Sequence, residues 1–286
     1  MNKLLLTVLT LLLTAVSFAQ TQDEILAEGW LMYYSERASW HGTDIFMEKF
    51  PEKRDKIGGY LSYTDETDKM HKCIFFDKQS DPGVLATISF DKNFQVEDAV
   101  INTDDRKLTA IEKQLYIIRE KALDAVGEDK DGLFQFYENT NYNMVPLIVK
   151  GQKKVYILTG PTNSGVVIFG NDYLLTFDKN DKLKSKKKIH NNILPVNYKD
   201  GMIQTSGFHS HLDSTGDLIT ATDICTLLLY GPYTGWDTYT VVSDKNVSIW
   251  DCKKETLLVL TRKAWDRIAE HQEKLQKERE KEKNKE

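Results

Sequence analysis

Apolar residues recur at helical spacing through residues 23–50, where Ile25, Trp30, Leu31, Tyr34 and Ala38 make one broad stripe. Beyond Pro51 the period shortens toward two. Segments 60–63, 73–76 and 84–90 are short, apolar and separated by Asp, Lys and Pro-Gly, which predicts an antiparallel meander. Residues 108–126 carry the strongest helical pattern, with Ile111, Leu115, Ile118, Ala122 and Ala125 on one face and Gly127 as the stop. From Met144 the chain returns to strands at 145–149, 155–158, 166–169 and 173–177, parted by Gly151, Gly160-Pro161 and Gly170-Asn171. Alternating lysines in 183–189 predict an edge strand protected against pairing with other chains. A strand ending near His211, a helix over 218–230 with Thr220 as N-cap, and strands at 238–243 and 247–250 follow. A last helix is expected from Leu257 into the charged residues 270–286.

The pattern predicts an α+β (or α/β) fold, a mixed sheet flanked by helices. A helix-plus-meander unit spans 20–105, a second unit 106–262 and a solvated helical tail 263–286. No internal repeat is visible. Residues 1–19 read differently: a basic start at Lys3, an apolar run from Leu4 to Val16, and the small residues Ser17 and Ala19 around Phe18 predict a secretory signal peptide cut before Gln20. The mature protein is expected to be periplasmic or secreted, without a transmembrane segment. The net charge of −5 is mild and no basic patch is interleaved with stacking aromatics, which excludes nucleic acid as a partner. Cys73, Cys225 and Cys252 are too few for a disulfide framework and read as buried thiols, with a Cys225–Cys252 bridge the alternative.

Metal-ligand chemistry concentrates in one stretch, Gly207-Phe208-His209-Ser210-His211-Leu212, followed by Asp213, Asp217 and Thr220-Ala221-Thr222-Asp223. Residues i and i+2 of a strand share a face, so His209 and His211 aim both imidazoles at one point. A carboxylate in the first turn of the next helix, Asp223, lies close to that strand end. Two imidazoles and a carboxylate leave a fourth tetrahedral position for water, the pattern of catalytic zinc. The bland alternatives are strand-end histidines bonded to backbone, and a capping box in which Asp223 returns to Thr220. Asp213 or Asp217 could replace Asp223 as ligand. His190, alone after the lysine run, reads as an exposed strand residue.

The stretch from His209 to Asp223 resembles the signature of the JAMM (MPN-type) zinc metalloproteases, HxHP, seven residues, then SxxD. Leu212 stands where the proline would be and Thr220 where the serine would be, and the likeness covers about residues 207–251. The resemblance implies Zn²⁺ on His209, His211 and Asp223, a hydrogen bond from Thr220 to the reacting centre, and hydrolysis of a peptide or amide bond. It also implies an upstream glutamate as general base. No glutamate stands between Glu138 and Glu255, so Glu138 and, farther back, Glu36 are the candidates. The competing expectation is a non-catalytic exported module that keeps the motif's outline and binds an envelope protein or polymer. Only 75 residues follow His211, too few to finish a metal-dependent (β/α)8 barrel that starts on an HxH strand.

Overall fold

A computed structural model describes residues 20–199 and 205–283. The expected signal peptide lies outside the described residues. The first helix, α1 (Gln22–Lys49), opens on a full capping box between Thr21 and Glu24. Its N-terminal half sends Ile25 and Met32 into the largest core, and its C-terminal half sends Ala38, Ile45 and Phe46 into a second one. That second core is built on the expected meander, strands β1 (Ile57–Thr64), β2 (His71–Asp77), β3 (Gly83–Phe90) and β4 (Val100–Asn102), with the short β5 (Arg106–Lys107) also on β3. Helix α2 (Ala110–Gly127) carries its own capping box, Thr109 with Glu112. It lays Ile118 and Ala122 on Val155, Ile157 and Tyr173 of the next sheet.

That sheet is antiparallel, β10-β9-β7-β6, formed by β6 (Thr140–Val149), β7 (Gln152–Pro161), β9 (Tyr173–Phe177) and β10 (Leu183–Lys188). The lysine-rich β10 is its edge, as the alternation predicts. Strands β8 (Val166–Gly170) and β11 (Ile193–Asn197) pair separately. The last sheet runs β12-β13-β14-β15, from β12 (Ser206–Ser210), β13 (Thr238–Val242), β14 (Asn246–Asp251) and β15 (Thr256–Thr261). β12 and β13 are parallel and joined through helix α3 (Ala221–Thr234), a connection that parallel strands require. The whole is a mixed α+β fold with no closed barrel among the described residues.

The helix expected over 218–230 spans 221–234, strands β4, β5 and β11 stand where none is expected, and one further boundary shifts. The final helix does not start at Leu257: residues 256–261 pair with β14 as β15, with Leu258 opposite Ile249. Helix α4 (Arg262–Lys283) begins only where Thr261 accepts the amide of Ala264. Strand pairing buries part of a Leu-Leu-Val-Leu run that an isolated, exposed helix would leave in water. The three cysteines are free. No helix among the described residues is long and apolar enough to cross a membrane.

α1 is the common wall of this architecture. A Cβ on Gly29 would come within 2.5 Å of Ile224 in α3, and one on Gly42 within 2.6 Å of Cys73 in β2. The two glycines therefore let α1 lie flush against both the meander and the helix that positions Asp223.

Candidate metal centre

His209 lies on β12 opposite Val241, and His211 continues the ladder by donating its amide to Val242 O at 2.8 Å. The pair shares a face as i and i+2, so both rings point at the start of α3. The turn between them and the helix passes through Gly216, whose φ of 115° is unfavourable for any residue with a Cβ. Thr220 then caps α3 and Asp223 closes the capping box: Thr220 donates N–H at 3.0 Å and Oγ1–H at 2.8 Å to Oδ2. Asp223 is 1% exposed, and its carboxylate also faces the imidazoles, with Oδ2 3.2 Å from His211 Nε2 and Oδ1 3.6 Å from His209 Nε2. The capping and ligand readings of Asp223 are thus compatible in one geometry.

The fourth member was expected elsewhere. His190 is not an exposed strand residue: it is buried, with Nε2 3.1 Å from His211 Nε2 and 3.6 Å from Asp223 Oδ2. His209 Nε2 stands 3.0 Å from His211 Nε2. Asp172 places His190, accepting its backbone amide at 3.1 Å and its Nδ1–H at 2.8 and 3.0 Å. Asp172 itself follows the turn at Gly170-Asn171. Gly170 is required there twice over, by φ of 80° and by Asn192 O, which would lie 2.2 Å from any Cβ.

Hydrogen bonding on the far side of each ring decides what the near side can do. Asp172 and the Leu218 carbonyl are pure acceptors, so Nδ1 of His190 and Nδ1 of His211 must carry protons. His209 Nδ1 meets Tyr239 Oη at 3.1 Å. Nε2 of both rings is thereby turned inward at 3.1 Å, where a proton on His190 or a metal ion can lie between them. Backing of this kind by carboxylate, carbonyl and hydroxyl is what fixes metal-ligating histidines in place. Among the described residues, His190, His209, His211 and Asp223 form a buried group, each offering one ligand atom and all within 4.8 Å of one another, that can hold a metal ion.

The electrostatics agree with the geometry. Burial works against charge on His190, but Asp172 and Asp223 outweigh it and hold the imidazole well above its usual 6.5. His209 is pushed down to about 4 by burial and by its two histidine neighbours, against the pull of Asp223. Burial also opposes charge on Asp223, yet His190 and His209 hold its carboxyl well below the usual range. The cluster thus keeps its carboxylate ionised in a buried place, where an anion is costly unless cationic partners surround it.

A cleft of about 620 Å³ reaches this cluster at His190 and His209. Its walls include Phe169, Ile193, Leu194, Phe208 and Leu212, with Phe208 78% and Leu212 54% exposed. Among the described residues, no Asp, Glu, Lys or Arg lines it.

The remaining expected site residues fall outside. Thr220 does not line the cleft, and its hydroxyl is held by Asp223 and Thr222. Glu138 is exposed in the loop before β6, outside both cluster and cleft. Glu36 is buried on α1, where it accepts from Asn143. Asp213 is exposed, and Asp217 pairs with Lys245 at the surface. His190 and Asp172 were missed because neither belongs to a local pattern. Their one sequence trace is the Gly170-Asn171-Asp172 turn, which looks like any strand connection. No protein-family model, curated protein or solved structure matches this chain.

Proposed function

We propose that this chain is an exported zinc-dependent hydrolase of JAMM-like type that cleaves an amide or peptide bond, with one zinc ion on His209, His211 and Asp223 and with His190 on its cleft side. The observation that carries the reading is the convergence of three imidazole Nε2 atoms and a buried carboxylate where a cleft reaches two of them. Four N/O ligands bonded at about 2.0–2.1 Å to zinc stand roughly 3.3 Å apart. Five of the six separations, taken to either oxygen of Asp223, run from 3.0 to 3.6 Å, and the four ligand atoms all lie within 4.8 Å of one another. Imidazole with carboxylate also suits zinc among the first-row ions.

Zinc bound there supplies an acidified water and a Lewis acid at neutral pH. The chain supplies the rest. Asp172, Tyr239 and the Leu218 carbonyl orient the three rings, and the mostly apolar walls of the cleft suit an uncharged substrate flank. Among the described residues no glutamate lines the cleft, so His190 backed by Asp172 is the group with the reach to hold a proton at the reacting side.

One observation favours a second reading, the non-catalytic exported module: four side chains already offer four ligand atoms, the number that structural zinc sites use. His190→Ala separates the two. In the hydrolase the variant keeps close to one zinc per chain and loses turnover of a fluorogenic peptide-amide library. In the closed site it loses zinc and melting temperature together, and the wild type shows no turnover.

A further inference from the structure

Away from the metal centre, α1 buries a second carboxyl group. Glu36 is 5% exposed, and a cavity of about 390 Å³ opens over it, lined by Glu36, Ser39, Trp40, Thr43, Asp44, Tyr60 and Asn143. Only one hydrogen bond reaches the carboxyl group among the described residues, from Asn143 Nδ2 to Oε2 at 3.1 Å. Among the described residues no hydrogen bond reaches the second oxygen, which leaves it open to whatever occupies the cavity that Glu36 lines. Burial accordingly pushes the carboxyl up to about 7, with the Asn143 bond opposing.

The lining has one sign. Asp44 brings a second, exposed carboxylate to the rim, and among the described residues no Lys, Arg or His lines the cavity. Arg119, the basic group felt by Tyr60, is held by Glu120 at 2.7 Å. Trp40 and Tyr60 add aromatic rings, with Trp40 fixed edge-on against Tyr230 at 5.6 Å. From α3, the groups that feel the Glu36 charge are Cys225 and Tyr230, neither a cation. Buried carboxyl, aromatic faces and an acidic rim are together the chemistry that recognises an ammonium ion.

We propose that this cavity binds a primary ammonium group on a short aliphatic stem, the ammonium on Glu36 and the stem against Trp40 and Tyr60. A free alkylamine and a lysine side chain of another protein both carry that chemistry. The inference is independent of the metal centre, which uses none of these residues.

Calorimetry and ligand-observed NMR on the mature protein, with n-butylamine, Nα-acetyl-lysine methylamide and the neutral isostere 1-butanol, test it. Both amines are expected to bind at pH 8 and the alcohol is not. Binding of n-butylamine alone identifies a small free amine as the ligand, and binding of the lysine amide as well identifies a lysine-bearing partner. Glu36→Gln keeps the shape and removes the charge, and is expected to weaken amine binding by roughly tenfold or more. Asp44→Asn, exposed and harmless to folding, is expected to weaken it roughly two- to threefold, less at high salt. Absence of amine binding to the wild type, equal binding of the alcohol, or unchanged binding in folded Glu36→Gln overturns the proposal, as does calcium occupying the cavity in place of the amine.

Discussion

Asp223 and Glu36 are both buried carboxyl groups on helices that pack against each other, yet they carry opposite protonation tendencies. Asp223 is held well below the usual carboxyl range, although burial alone would raise it, because His190 and His209 face it. Glu36 meets a single side-chain amide and rises to about 7. Burial is common to both, so partners decide the charge. An ionised carboxylate ringed by imidazoles is built to keep a cation, whereas a carboxyl group with one bond and an open cavity is built to wait for one.

The comparison breaks most violently at Asp223. Asp223→Leu removes the charge that the imidazoles face and the N3 member of the capping box at once. Leaving one side of a buried ionic set uncompensated costs about 3–5 kcal/mol, so chemical denaturation is expected to show a loss of that size together with complete loss of bound metal. Retained metal in this variant would mean that Asp223 is a cap alone.

Glu36 comes next, through pH. Between the usual 4.5 and about 7 the folded protein holds a proton that the unfolded chain has released. Stability therefore falls as pH rises through that window, by on the order of 3 kcal/mol. Glu36→Gln is expected to flatten this portion of the stability profile, measured by urea titration at pH 5, 6, 7 and 8. An unchanged slope would show that the carboxyl group is ionised and already compensated.

Asp172→Asn tests the far side of the cluster. An amide can turn its NH2 toward Nδ1 and release the tautomer that aims His190 Nε2 inward, so in the hydrolase turnover is expected to fall while zinc is kept, and in the closed site, where His190 is a ligand, metal affinity is expected to drop about 10–100-fold. Saturating metal should still restore one ion per chain, measured by competition with a chelating dye. The smallest effect belongs to Thr220→Ala, which removes the cap hydroxyl that bonds Asp223. Stability is expected to fall by about 1 kcal/mol while metal is kept.

The two halves of the metal centre also differ in how far the amino-acid sequence reveals them. His209, His211 and Asp223 lie within fifteen residues, and strand period, turn and cap dictate their convergence once β12 and α3 form. His190 and Asp172 enter only because β9 and β10 pair, bringing residues eighteen apart into contact around Gly170. Nothing local distinguishes His190 from a histidine at the end of an exposed lysine-rich strand, and that is how its surroundings read. Periodicity likewise revealed the meander, the three capped helices α1, α2 and α3, and the guarded edge β10. It failed at residues 256–261, where pairing with β14 outweighed a weak helical pattern continuous with the charged tail.

The most direct test of the metal centre is elemental analysis of the protein purified without chelators, then titrated with zinc, beside His211→Ala and Asp223→Leu. Close to one zinc per chain in the wild type, and close to none in either variant, is the expected result. A folded wild type that neither carries zinc nor takes it up on titration would contradict the account.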